Sequence, residues 1–112
     1  MIEHIRAVDA LAEILKVRGL DAVLVGPYDL SASLGLTGQF EHARFQKAMQ
    51  RVRTMTDEAG IASGVHVVDP SPQKLKKEIE TGHRFLPYSI DAVFLNHIVS
   101  RPDFSRRAKR PR

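Results

Sequence analysis

The chain has 112 residues, of which 43% are hydrophobic and 27% charged, with no cysteine and a formal net charge of +4. That supports one small domain with a real core, falls short of the roughly 250 residues of a closed α/β barrel, and offers no disulfide framework. No apolar stretch approaches the roughly 20 residues of a membrane span, and the N-terminus lacks the pattern of a secretory signal, so a cytoplasmic location without membrane contact is expected.

In chain order, Met1–Ile5 is a short apolar run that reads as a strand. Ala7, Leu11, Ile14 and Leu15 then recur at three- and four-residue steps, the mark of an amphipathic helix closing at Gly19. Ala22-Val23-Leu24-Val25 is continuously apolar and β-branched, as expected of a parallel strand buried on both faces, and ends at Gly26-Pro27. Residues 28–41, rich in Ser, Gly and Thr, read as a binding loop at a strand's carboxyl end. From His42 the stripe Phe45, Met49, Val52, Met55, Ala59 predicts a core-facing helix stopped by Gly60.

Ala62–Val68 is the next predicted strand, broken at Asp69-Pro70; Ser71 caps a helix with Pro72 at its first position, running through Leu75 and Ile79 to Gly82. Phe85–Ile90 reads as a fourth strand, irregular at Pro87, and Ala92–Val99 as a short apolar helix. Strand and helix thus alternate four times over residues 1–100, which implies an α/β fold with four parallel βα units. Residues 101–112 hold six of the 17 Lys and Arg and one of the 13 acids, leaving 11 bases against 12 acids in residues 1–100. The basic character therefore belongs to a tail that reads as a solvated, disordered end, and nucleic acid is not an expected partner.

Two acids stand out. Glu3 and Asp29 each sit at or just past the end of a predicted strand, with one strand–helix–strand unit between them, so a parallel sheet brings both to its carboxyl edge. Two carboxylates there suit a hard cation such as Mg²⁺, which leaves other positions for water and substrate oxygens. The competing reading of Asp29 is a turn or cap residue bonded to nearby backbone N–H groups.

With Ile2-Glu3 upstream and Ser89-Ile90-Asp91 downstream, the segment Gly26-Pro27-Tyr28-Asp29-Leu30-Ser31 resembles the HpcH/HpaI aldolase/citrate lyase family over about residues 1–98. The resemblance implies a TIM barrel of which residues 1–100 are the C-terminal half. It also implies class II aldol chemistry that cleaves 4-hydroxy-2-oxo acids or 2-keto-3-deoxy sugar acids to pyruvate and an aldehyde. Glu3 and Asp29 take the family's metal-ligand positions, for Mg²⁺ foremost, with Mn²⁺ or Co²⁺ also suited to oxygen ligands. The segment Gly26, Pro27, Tyr28, Asp29 takes that of the oxo-acid carboxylate site, although Pro27 has no N–H to give. The family's full-length members are homo-oligomers.

The family's catalytic His and Arg come from the first half of the barrel, upstream of this sequence. Among the five histidines, His66 is the one candidate for lining the mouth; His4 reads as structural, and His42, His83 and His97 as surface or capping residues. Asp91 is a candidate either for orienting a polar group at the mouth or for capping a helix. Two functional readings follow: a metal-dependent aldolase fragment, or a non-catalytic half barrel that binds metal or oxo acid, or another chain, without turnover.

Overall fold

The computed structural model of the chain describes residues 1–99. Two parallel strands form its centre, β1 (Ala22–Val25) and β2 (Ala62–Val65), paired in register from Ala22 with Ala62 to Val25 with Val65. Single parallel bridges extend the pairing on both sides: Ile2 with Val25, Gly64 with Phe85, and Val67 with Tyr88. Chain neighbours are thus neighbours in space, as the βαβ rule requires. The helices among the described residues are α1 (Ile5–Asp9), α2 (Leu11–Ile14), α3 (Pro27–Ser33), α4 (Ala43–Glu58), α5 (Pro72–Glu80) and α6 (Asp91–Ile98).

Several expectations change. The outer strands expected over Met1–Ile5 and Phe85–Ile90 are reduced to those bridges. His4 ends the first, because its Nδ1 accepts the Arg6 N–H at 3.2 Å and caps α1, drawing Ile5 into the helix. In the second, Pro87 cannot donate and Ser89 turns to a φ of 59°. The strand expected over Ala62–Val68 stops at Val65, with Val67 returning as a bridge. The helix expected from Ala7 to its close at Gly19 divides at Ala10, where ψ is 6°, and its second part ends at Ile14. Residues 28–41 do not form one loop: they open with α3, which Pro27 starts from a first-turn position where a missing N–H costs nothing. β1 buries Val23 and Val25 but leaves Ala22 and Leu24 half-buried, so one face is covered rather than both. The basic run 101–112 lies outside the described residues.

The core explains the order of these elements. Val8 of α1, Leu11 of α2, Val23 and Val25 of β1, Leu30 of α3, and Phe45, Ala48 and Val52 of α4 close into one buried cluster with Ile2. Burying such side chains fully contributes about 1.5–3 kcal/mol each, so this cluster carries most of the stabilisation available. Neither α5 nor α6 buries a residue, and α6 leaves Leu95 and Ile98 exposed.

One polar pair lies within the sheet–helix layer. The Oγ of Ser63 on β2 sits 3.1 Å from Nδ1 of His83, which is 4% exposed; His83 is therefore no surface residue, contrary to the expectation from its place between a helix and a strand. Burial foremost, then the nearby Arg53 guanidinium, holds the His83 imidazole below the usual histidine range, while a hydrogen bond to the Ser63 backbone pulls the other way. Burial pushes the neighbouring Glu78 carboxyl up, against Lys77 and Arg53. Both displacements favour neutral forms, so the 3.7 Å approach of His83 Nε2 to Glu78 Oε2 is not a working ion pair.

Gly64 has no room for a Cβ, which would run into the carbonyl of Phe85, the acceptor of the Val65 N–H at 3.2 Å. Gly64→Ala is expected to lower unfolding stability by about 1–3 kcal/mol, read from the urea midpoint by circular dichroism. A midpoint unchanged within error would show that the Phe85 segment does not pair there.

The His83 displacement gives a pH dependence of definite sign. Above the ordinary value of 6.5 the imidazole is neutral in both states and its contribution is level. As pH falls below it, the unfolded chain takes up a proton that the folded chain refuses, so stability drops. Glu78 has the opposite slope: above the ordinary 4.5 the unfolded carboxyl ionises first, and stability falls as pH rises toward its folded value. His83→Gln should therefore flatten the loss of melting temperature on the acid side of 6.5. An unaltered profile in that variant would mean the imidazole titrates freely.

Candidate functional site

Hydrogen bonds to a single residue set the carboxyl edge of the sheet. The Ile2 N–H donates to Leu24 O at 2.7 Å, and the Gly26 N–H donates to Ile2 O at 3.0 Å. Ile2 faces the core, so by strand alternation Glu3 falls on the opposite face, beside Gly26. The glycine is needed there: a Cβ at Gly26 would stand 3.0 Å from Glu3 Cγ and 3.2 Å from Glu3 Oε1. The Glu3 side chain thus lies in the space that the missing Cβ leaves.

Three residues on, Asp29 occupies the first turn of α3 and is exposed. It does not cap that helix, for the N-cap is Gly26 and no side chain bonds the first-turn amides. Neither the Glu3 nor the Asp29 carboxylate has a hydrogen bond or ion pair among the described residues. The cap reading of Asp29 is therefore overturned.

The rest of the motif is structural. Leu30 is fully buried. The Ser31 hydroxyl donates to Tyr28 O at 2.7 Å and accepts the Gly38 N–H at 3.0 Å, which fixes the chain after α3. The Ser33 hydroxyl donates to Leu30 O at 2.7 Å and accepts the Ile5 N–H at 2.9 Å, tying the end of α3 to the start of α1. Sequence spacing gave no hint of these ties, because each depends on a partner brought close by the fold.

The segment expected to hold an oxo-acid carboxylate divides. The Gly26 N–H is occupied by Ile2 and so is not a donor to a ligand, contrary to expectation, and Pro27 has none. The N–H groups of Tyr28 and Asp29, in the first turn, lack an intrahelical acceptor. The Tyr28 ring turns away onto Phe40, edge to face with centroids 5.0 Å apart.

His66 follows β2 at the same edge. Its N–H donates to Val25 O at 3.2 Å, and the register of Val25 with Val65 puts His66 next to Gly26. Glu3, Gly26 and His66 thus form one row across three neighbouring segments. The His66 Nε2 sits 3.1 Å from the Ser89 carbonyl, which can only accept, so Nε2 carries the proton and Nδ1 keeps its lone pair. Ser89 itself is buried, at positive φ, and its hydroxyl finds no partner among the described residues. Sequence reasoning quoted Ser89 within a motif but missed this strain and this orphaned group.

The remaining candidates are accounted for locally. His42 caps α4, its Nδ1 accepting the Arg44 N–H at 3.2 Å. His97 is exposed in the last turn of α6. Asp91 is the first residue of α6, and its Oδ1 accepts the Ala92 N–H at 2.7 Å. No group of three or more His, Cys, Asp or Glu able to hold a metal occurs among the described residues, so any ion at the edge has two protein carboxylates at most from the Glu3–Asp29 pair. No helix among them is long and apolar enough to cross a membrane.

Comparisons with known proteins agree with this arrangement. Over 94 residues the chain is 36% identical to the hydroxypyruvate/pyruvate aldolase of Paraburkholderia phytofirmans, covering 84% of this chain and 35% of that protein. It is 35% identical over 94 residues to the 4-hydroxy-2-oxo-heptane-1,7-dioate aldolase of Shigella sonnei, with the same coverage of each. The chain therefore spans about a third of the length of these curated relatives. Its fold matches the crystal structure of a HpcH/HpaI aldolase/citrate lyase family protein from Burkholderia cenocepacia J2315 with a TM-score of 0.78 at 33% identity, covering 86% of this chain and 37% of that one. The family model for HpcH/HpaI aldolase/citrate lyase matches residues 1–95. With Glu3, the Gly26–Asp29 turn and the parallel sheet all inside that match, the chain belongs to the HpcH/HpaI aldolase/citrate lyase family.

Proposed function

We propose that the chain supplies the metal- and oxo-acid-binding edge of a class II pyruvate aldolase, as the C-terminal half of a TIM barrel. The observation that carries this reading is the Glu3 carboxylate held over Gly26, one short turn from Asp29, with neither acid paired to any group among the described residues. Unpaired carboxylates brought to one sheet edge suit a divalent cation that takes one or two protein oxygens and leaves other positions open. Four parallel segments in chain order support the half-barrel reading.

When bound, Mg²⁺ or a similar ion supplies Lewis-acid stabilisation of the negative charge that develops on the keto oxygen of an oxo acid. The chain's own residues do the rest of the positioning. Glu3 and Asp29 hold the ion, and the first-turn N–H groups of Tyr28 and Asp29 face the substrate carboxylate. His66, with Nε2 fixed on Ser89, presents Nδ1 as an acceptor in the same row. Substrates of the class named for the relatives, hydroxypyruvate, pyruvate and 4-hydroxy-2-oxo acids, carry carboxylate and keto oxygens that suit the open positions of an ion held by Glu3 and Asp29. The acid–base group and the cation that complete the reaction come from outside these 112 residues, in keeping with the third of the relatives' length that they span.

Manganese binding tests the ligand assignment. Titration followed by electron paramagnetic resonance should give saturable Mn²⁺ binding to the chain, weakened at least about tenfold by Asp29→Ala and by Glu3→Gln. Equal affinity in both variants would remove the metal site from this edge.

Turnover tests the division of labour. The chain alone, with saturating Mg²⁺ or Mn²⁺, should release little or no pyruvate from a 4-hydroxy-2-oxo acid, since losing a placed acid–base group costs about 10²–10⁴-fold in rate. Robust metal-dependent release that Asp29→Ala abolishes would instead assign proton transfer to His66 or another local group.

A further inference from the structure

Ser89 combines two unfavourable features. It holds a φ of 59°, the one positive value outside glycine among the described residues, and its side chain, in a residue 8% exposed, has a hydroxyl without a partner among them. A glycine would relieve both, so neither feature serves the fold. What the conformation does is aim a carbonyl. The backbone is clamped on Val67 from both sides, with the Val67 N–H donating to Pro87 O at 3.0 Å and the Ser89 N–H donating to Val67 O at 2.8 Å. Just past that clamp the positive φ turns the chain so that the Ser89 carbonyl stands 3.1 Å from His66 Nε2.

This contact sets the tautomer of His66. In His4, His42 and His83 the fold occupies Nδ1, with the Arg6 N–H, the Arg44 N–H and the Ser63 hydroxyl. His66 is the reverse case: Nε2 is committed to a carbonyl and holds the proton, while Nδ1 has a lone pair and no partner among the described residues. Such a nitrogen takes a hydrogen bond from an O–H group but has none to give a carboxylate or keto oxygen.

Register places that lone pair. Ile2, Val25 and Val65 are neighbours across the sheet and all buried, so the next residues along, Glu3, Gly26 and His66, share the other face. Neighbouring strands lie about 4.8 Å apart, which puts His66 one strand from Gly26, over which the Glu3 carboxylate lies. An oxo acid bound there commits its carboxylate and keto oxygens to the ion and to the first-turn amides of α3. What remains of it to meet a side chain one strand away is the carbon bonded to the keto carbon, with whatever that carbon carries.

We propose that His66 selects, among 2-oxo acids, those with a hydroxyl on the carbon beside the keto group, by accepting that O–H on Nδ1, and that Ser89 is the positioning residue that holds the ring in the accepting tautomer. The proposal rests on the carboxyl-edge reading above. A methyl group at that carbon leaves Nδ1 without a donor, whereas a hydroxymethyl group supplies one. His66 moves no proton in this role.

Nitrogen NMR of the isotope-labelled imidazoles in the full chain, at about pH 8 and so above the ordinary histidine value, reads both residues. Without ligand, His66 is expected as the Nε2–H tautomer. Ser89→Gly, free to keep the positive φ, should preserve it, and Ser89→Val, which resists that φ, should release the ring to a mixture. With saturating Mg²⁺, hydroxypyruvate should shift the His66 Nδ1 resonance and bind about fivefold or more tighter than pyruvate, the weight of one hydrogen bond, and His66→Leu should bring the two affinities together. The Nδ1–H tautomer or a mixture in the unaltered chain overturns the proposal, as does an unchanged tautomer in Ser89→Val. Equal binding of the two acids with Nδ1 unmoved also overturns it, but leaves the carboxyl-edge reading standing. If neither acid binds the Mg²⁺-loaded chain, that reading fails and this proposal with it. Should Ser89→Val or His66→Leu fail to fold, the tautomer and the two-acid comparison on the unaltered chain decide.

Discussion

Everything at the carboxyl edge depends on Ile2 being held by two hydrogen bonds, one from its own N–H to Leu24 and one from Gly26 to its carbonyl. A single residue of strand is enough because its side chain is buried in the core while its backbone completes the ladder with β1. The next residue then has no choice of side. Glu3 must face away from the core, and at that level its neighbour is a glycine. A larger residue at position 26 would keep the ladder but expel the carboxylate, so backbone pairing and acid placement are linked through one missing methyl group.

The same economy appears in the motif that follows. Asp29, Leu30, Ser31 and Ser33 are close in sequence but have unrelated tasks. Leu30 anchors α3 in the core, and the two serines join α3 to the segment ahead of α4 and to α1. Only Asp29 is left without a structural role. Its freedom is informative because everything around it is committed.

How much of this was legible beforehand depended on whether the cause was local. The helix over 43–58 was visible because its stripe of Phe45, Val52 and neighbours repeats over four turns and ends at a glycine with φ of 68°. Strands β1 and β2 were visible for similar reasons. α3 was not, since Ser, Gly and Pro are read as loop formers and the helix is set by Leu30 finding the core and by serines bonding back to the backbone. His83 was misplaced because its burial comes from Ser63, twenty residues earlier, a contact that only tertiary structure creates. The outer strands were overestimated: apolar content alone could not reveal that His4 and Ser89 end the extended backbone after one or a few residues.

The uneven core has a consequence for how the chain opens. The buried cluster joins α1 to α4 with β1, whereas α5 and α6 contribute no buried residue. Such a chain is not one cooperative block but a firm N-terminal unit with a loosely attached C-terminal part, whose local opening costs far less than global unfolding. The amide protons of α5 and α6 then exchange through frequent small excursions, while those of β1 and α4 wait for the whole unit to come apart. Any surface that steadies α5 and α6, whether a ligand beneath or protein alongside, gains from this laxity, because it merges two units of unequal stability into one.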